Sequence, residues 1–440
     1  MSDFDTLKAL STDLESQALA LRRLDDYYEG RQPLRFLPAE LAREIDRRLW
    51  SVAVNWPRLV VDSVEERLDV EGFRLPGSDD ADTEMWRVWQ ANNLDELSQQ
   101  AHTDALALGR SYITVGTGAD VLTPLISVES PLEMAVDIDP RTRQVRAAVK
   151  RWDDAGDSFA TLYTPQYTRW MVARKGSDEW SDYEPPDDHR LGVVPVVPLV
   201  NRPRIRQPMG VSEMSDVLPL ADAANSTLID MMVVQKYYAA PRRYVLGIDG
   251  IEDEHGEPVS DLRASAKHVW YFPEGVTNVG QFAEAELTNF HNTLNQLARL
   301  VASLTGLPPH YLGFTTDNPA SADAIRSNEA RLVKRAERKQ RGFGGSWEQA
   351  MRLADRIATR AWRPELRNLE VLWRDAATPT LAQKSDAAVK LVSAGIVPPE
   401  YGQELIGLSA TARQRIADMQ SDPTLERVLR SVQAVPGGTA

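Results

Sequence analysis

LTNFHNTLNQLARLVASLTG, residues 287–306, is the most regular stretch of the chain. Leu287, Phe290, Leu294, Leu297, Val301 and Leu304 recur in alternating steps of three and four, a seam suited to packing along another helix. The opposite side carries Thr288, Asn292, Gln296 and Ser303, polar and, Arg299 apart, uncharged. A partner lies upstream in MGVSEMSDVLPLADAANSTLIDMM (209–232). There Met214, Leu218, Ala221, Leu228 and Met232 form one stripe at helical spacing, interrupted by Asn225. Its other arc holds Ser212, Asp216, Ala223 and Asp230, small or acidic and never basic. This reading starts the helix at Gly210 and expects Pro219 to kink it. Between the two helices, RRYVLGI, HVWYFP and TNVGQFA read as short strands around the acidic loop GIEDEHGEPVSD. The simplest arrangement is a helical hairpin carrying a small β tip.

Downstream, the loop GLPPHYLGFTTDNPA leads into a long helix spanning about 320–361, with Asn318 or Ser321 as its cap. Ile325, Leu332, Ala336, Phe343, Trp347 and Ala350 lie on one narrow arc, and Arg331, Lys334, Arg338 and Arg341 on the reverse. Gly342, Gly344 and Gly345 permit a bend midway. Seven basic residues stand between Arg326 and Arg341, in a chain of formal net charge −14. The plainest explanation is a solvated face with intrahelical pairs to Glu329 and Glu337. Contact with phosphate, or with an acidic neighbouring subunit, are the functional alternatives. LEVLWR then reads as a strand, and about 380–430 as helical.

The N-terminal part is mixed. An amphipathic helix covers Asp3 to Glu29, and further helices are expected near 39–50, from NWPRLV onward, and near 80–92 and 94–108. SYITVGTG, VLTPLISVES, LEMAVDID, RQVRAAVKRW, SFATLYT and YTRWMVARKG read as strands between turn signals. VVPVVPLV runs extended, its prolines barring a central strand.

Chemistry is hard to find. No glycine is followed by lysine, so a P-loop is absent, and GFGGSW fails the dinucleotide pattern. The six histidines are scattered, and cysteine is missing, which excludes disulfides and thiolate metal sites. No cofactor is implied. Acidic groups cluster at Asp79, Asp80, Asp82 and Glu84, at Asp137 and Asp139, and at Glu252, Asp253 and Glu254. Helix starts, turns and a solvated loop account for these better than acid–base catalysis does. The eleven tryptophans suggest core packing before a sugar cleft, with Trp347 and Trp362 expected on apolar helical faces. The longest apolar runs fall short of a membrane span, and the acidic balance argues against general adhesion to nucleic acid.

YYEGRQPLRFLP, NWPRLVVDSVEERLDVEGFR, VPVVPLVNRPR, the hairpin stretch 209–232 and NPASADAIRSNEARLVKRAERKQRGFG, in this order, resemble the portal proteins of tailed bacteriophages, in particular those of siphophages of actinobacteria. The resemblance implies an α+β, multidomain, ring-forming portal fold. It divides the chain into a mixed α/β wing (1–205), a first stem helix (206–240), a β clip (241–284) and a second stem helix (285–305). A tunnel loop (306–320), a long kinked helix with a wing strand (321–375) and a helical crown (376–440) would follow.

It further implies a ring, usually of twelve subunits, at one capsid vertex, through which double-stranded DNA is packaged and ejected. Thr315, Thr316, Asp317 and Asn318 would lie near that DNA, and Ser212, Asp216, Asp230, Asn292 and Gln296 would face the channel. Arg331, Lys334, Arg338 and Arg341 would meet DNA or a neighbouring subunit, and Glu252, Asp253 and Glu254 the motor. Implied partners are the terminase large subunit, a head–tail adaptor, and the major capsid and scaffolding proteins, with assembly in the host cytoplasm and no membrane. Twelve helices about 10 Å across, set side by side in a circle, leave an opening of about 28 Å, and eight leave about 15 Å. Only the larger admits a duplex comfortably. The rival reading is a soluble hydrolase or glycan-binding enzyme using dispersed Asp, Glu and Trp.

Overall fold

A computed structural model describes residues 2–33, 53–75, 81–120, 122–177, 179–238, 243–246, 269–272, 278–281, 287–313, 322–377, 381–408, 413 and 415–416. The expected helix near 39–50, the loop residues Thr315, Thr316, Asp317 and Asn318, and the acidic run Glu252, Asp253 and Glu254 lie outside the described residues.

The N-terminal region opens with α1 (Asp3–Tyr28), held at its start by a reciprocal pair of hydrogen bonds between Ser2 and Asp5. Asn55 caps α2 (Trp56–Glu65), where Pro57 occupies the first turn at no cost to the hydrogen-bond ladder. A short strand β1 (Val70–Arg74) precedes α3 (Thr83–Ala91) and α4 (Leu94–Leu108), the latter ended by Gly109 at φ 94°. Eight strands follow: β2 (Arg110–Asp120), β3 (Thr123–Glu129), β4 (Met134–Ile138), β5 (Val145–Asp154), β6 (Asp157–Tyr163), β7 (Thr168–Ala173), β8 (Trp180–Asp182) and β9 (Val196–Val200). β4 to β8 form an antiparallel meander, while β3, β2 and β9 form a separate antiparallel sheet with β2 in the middle. Pro198 in β9 stands opposite Tyr112 on an edge strand, where a missing N–H costs nothing.

The hairpin consists of α5 (Leu218–Tyr238) and α6 (Thr288–Thr305), which pack on each other. Between them β10 (Arg243–Leu246) pairs parallel with β11 (Val269–Phe272) and antiparallel with β12 (Asn278–Gln281). α7 (Ala322–Thr359) then runs as one helix through Gly342, Gly344 and Gly345. β13 (Glu370–Trp373) returns to pair with β1, and α8 (Leu381–Ser393) and α9 (Pro399–Ile406) complete the described chain.

Two of the three buried apolar clusters among the described residues bear on the site. In the larger, the inward side of the three-stranded sheet (Ile113, Val115, Ile126, Leu199) meets α4 and the apolar arc of α7. Its centre is aromatic: the Trp89 and Trp347 ring centroids are 4.9 Å apart, edge to face, and Phe73 lies 5.5 Å from Trp89. His102 is fully buried there; its Nε2 accepts the Trp347 indole N–H at 2.9 Å, and burial lowers its pKa to about 3, so the imidazole is neutral. In the smaller, Leu7, Leu10 and Leu14 of α1 cover Val149, Ala160, Leu162 and Met171 of the meander.

Two sequence expectations change, and one strand is additional to them. The first hairpin helix begins at Leu218, because residues 213–217 form turns, so Pro219 falls in the first turn and no kink arises from it. The strand β1 escapes the sequence reading: VEGFR is five residues long, contains Gly72, and takes its partner from β13 across most of the chain. Trp362 lies beyond the end of α7 and is 46% exposed against the Arg356 guanidinium, not on an apolar helical face.

Candidate interaction site at the root of the hairpin

The seam on α6 is used unevenly. Val301 and its neighbours Ala298 and Thr305 are buried, Leu287, Phe290, Leu294 and Leu297 are half-buried, and Leu300 and Leu304 are exposed. The helix is therefore rooted at its C-terminal end and meets more solvent toward the β tip. Asn292 and Gln296 are exposed on its polar side, and Asp230 is exposed on α5 with its carboxyl raised by partial burial.

Buried polar contacts fix α5 to the N-terminal region. The Tyr27 hydroxyl donates to both oxygens of buried Asp222, at 2.7 and 2.8 Å. Asn225, which breaks the apolar stripe, is buried because its Oδ1 accepts the Val54 backbone N–H at 2.6 Å.

Ahead of the helix, Ser212 is buried: its hydroxyl accepts the Met214 N–H at 3.1 Å and its carbonyl accepts the Ser215 hydroxyl at 2.9 Å. In the single chain this residue belongs to a turn under the hairpin. Asp216 is exposed, and Arg202 Nη1 lies 3.4 Å from its carboxylate.

Next to that turn sits an ionic cluster. Glu213 is buried, yet the Lys339 ammonium donates to its Oε2 at 2.8 Å and Arg335 donates to its Oε1. Asn201 bridges the group, donating to Glu213 at 3.0 Å and to the Val211 carbonyl at 2.8 Å while accepting from Lys339. Burial pushes the Glu213 carboxyl up, but Lys339 and Arg335 outweigh it and hold it at about 2. Gly210 is obligatory beside this cluster. At φ +73° any Cβ would stand 2.3 Å from the Asn201 carbonyl and 2.5 Å from that of Gly109.

Outside the cluster opens a groove of about 580 Å³, lined by Arg202, Asp216, Arg331, Lys334 and Arg338 together with the cluster itself. Arg331 donates to the Ser303 and Leu304 carbonyls at 2.7 and 3.4 Å, so a cation caps the C-terminus of α6. Gly306, at φ +72°, allows this approach; a Cβ there would meet the Arg331 side chain at 2.6 Å. Glu329 pairs with Arg67 at 3.6 Å, and Arg341 donates to the Glu337 carbonyl at 3.4 Å. Lys334 and Arg338 are exposed and meet no carboxylate among the described residues. The intrahelical neutralisation expected from Glu329 and Glu337 is thus not how this face is balanced.

The sequence pattern singles out Arg331, Lys334, Arg338 and Arg341 but not Glu213, Arg335 and Lys339. A signal existed: Lys339 falls on the helical arc between Leu332 and Phe343, interrupting the apolar face as Asn225 does on α5. Among the described residues, the acidic groups weighed for catalysis have structural work; Asp79 and Asp80 lie outside them. Asp82 caps α3, Asp137 pairs with Arg146 at 2.8 Å, and Asp139 accepts the Arg141 and Thr142 N–H groups of its turn. Among the described residues no group of His, Asp and Glu could hold a metal ion, and no helix is long and apolar enough to cross a membrane.

The family described as phage portal protein, SPP1 Gp6-like, matches residues 7–422. The portal protein of Mycobacterium phage D29 is 41% identical over 423 residues, which cover 91% of this chain and 85% of that protein. That of Mycobacterium phage L5 is 41% identical over 409 residues, 89% of this chain and 82% of that one. A solved chain from the virion of a native gene transfer agent particle aligns with a TM-score of 0.48 at 14% identity, over 89% of this chain and 93% of its own. Another, from the neck of the native particle computed with C12 symmetry, aligns with a TM-score of 0.46 at 15% identity, over 80% and 90%. Matched over nearly its whole length, and 41% identical to two portal proteins, the chain belongs to the SPP1 Gp6-like phage portal family, structural components of the phage and not enzymes.

Proposed function

We propose that twelve copies of this chain close into a ring at the unique vertex of the capsid, and that double-stranded DNA is packaged and ejected through it. The hairpin is the stem of that conduit, with Asp216, Asp230, Asn292 and Gln296 toward the bore and Ser212 in the turn beneath. The β tip is the clip, whose acidic run Glu252, Asp253 and Glu254 docks the terminase large subunit before a head–tail adaptor takes its place. Thr315, Thr316, Asp317 and Asn318 touch the passing duplex, and α8 and α9 belong to the crown. Major capsid and scaffolding proteins surround the ring, which assembles in the host cytoplasm.

One observation carries this reading: the face of α6 bearing Asn292 and Gln296 is exposed, polar and uncharged apart from Arg299, which has a partner of its own. DNA presents one charge per ~1.7 Å, so a basic bore would hold it by counterion release, whereas a neutral or acidic one lets it slide. The test is to make the bore adhesive. Asn292→Lys combined with Gln296→Lys should leave ring formation intact while lowering DNA packaged per particle about tenfold, a defect that eases with added salt. Normal packaging by rings of this variant would contradict the proposal.

A further inference from the structure

The sheet formed by β3, β2 and β9 has two edges, and they carry opposite charge. Beside β9 lies the groove just described, where Arg202, Arg331, Lys334 and Arg338 outnumber Asp216 outside the buried cluster. Beside β3 lies a second hollow of about 610 Å³, lined by Glu65, Glu96, Asp104 and Glu129 with no lysine or arginine in its wall. Glu129 is matched by Lys150 at 2.6 Å. Among the described residues no ion pair is made by Glu65, Glu96 or Asp104; burial, with Asp69, Asp62 and Glu66 nearby, pushes Glu65 up to about 7, and burial raises Asp104 against a hydrogen bond from Ser130.

Both edges also expose aliphatic side chains. Leu122 and Leu125 stand in water on the β3 side; Leu300 and Leu304, and Ile205 just beyond the Pro203 wall, do so on the other. Charge largely of one sign on an edge that also exposes aliphatic side chains is interface chemistry on each side.

A ring of identical copies uses head-to-tail contacts, so a surface buried in it must find its complement elsewhere on the same chain. We propose that the basic face of α7 on one copy seats in the acidic hollow at the β3 edge of the next, Lys334 and Arg338 opposing Glu65 and Glu96, with the exposed leucines packing around them. This rests on the ring reading above. The basic helix is then a subunit clasp and not a DNA-holding element, which reconciles a cationic stripe with a bore that must not grip.

The test uses charge reversal of the full chain and counts rings by mass photometry, with thermal melts of the monomers to show folding. Lys334→Glu with Arg338→Glu reverses one edge, and Glu65→Lys with Glu96→Lys the other. Either pair alone should lower the ring fraction about tenfold or more, and all four together should restore it. If the unaltered chain forms no rings, the ring reading itself falls. If it does and the single-edge variants form rings equally well, only the clasp is overturned. Loss without restoration in the fourfold variant, or intact rings that fail to package DNA, also overturns it and points to another partner for α7. Because the chain has no cysteine, Lys334→Cys with Glu96→Cys and a short bis-maleimide gives an independent readout. A ladder of linked subunits supports the clasp, and linkage confined to single chains contradicts it.

Discussion

Glu213 stays ionised although almost wholly buried, because two cations and an amide close around it. A buried ion pair adds little over a well-packed apolar substitute, but removing one partner strands the other. Glu213→Ala should therefore destabilise the unassembled chain by about 3–5 kcal/mol in urea melts, and Lys339→Met by less. An equal, small loss in both would deny the cluster its anchoring role. The carboxyl is held below its ordinary range, so its contribution is full above about pH 4.5 and is lost as pH falls toward 2. Glu65 runs the other way. Its folded-state pKa lies above the ordinary 4.5, so the folded chain binds that proton more tightly, and stability falls as pH rises from 4.5 to about 7. Glu65→Gln should stabilise the unassembled chain by about 1–2 kcal/mol at pH 8 and have almost no effect at pH 4.5, after allowance for solvent screening. Equal stability of the two chains at pH 8 would contradict this environment for Glu65.

At the scale of elements, what the sequence made legible follows from range. Helices and meander strands are read from local periodicity, and α4 ends at Gly109 and α6 at Gly306 because a positive φ at the cap is written in one residue. β1 is not legible locally because its identity depends on β13, and α5 starts later than its composition suggests because 213–217 turns to reach Leu106, whose carbonyl accepts the Glu213 N–H. The groove was half-legible: its exposed cations form a visible stripe, whereas its anchor joins Asn201, Glu213 and Lys339 across three segments. The stem substitutions belong to this scale too. Two lysines on the exposed side of α6 alter no buried contact of Ala298, Val301 or Thr305, so a change in packaging would report on the bore and not on folding.

For the whole molecule, membership in the portal family makes the chain a structural component of the phage. The fold roots the hairpin in the mixed N-terminal region through Tyr27–Asp222 and Val54–Asn225. Opposite charge on the two edges of one small sheet is then an instruction for closure, read copy to copy. The most direct measurement is cryo-electron microscopy of the purified full-length chain, with mass photometry of the same sample. The expected result is closed rings, a species twelve times the 49.1 kDa chain, with Asn292 and Gln296 turned toward the axis. Monomers persisting under conditions that support procapsid assembly, or rings whose α6 polar face looks outward, would contradict it.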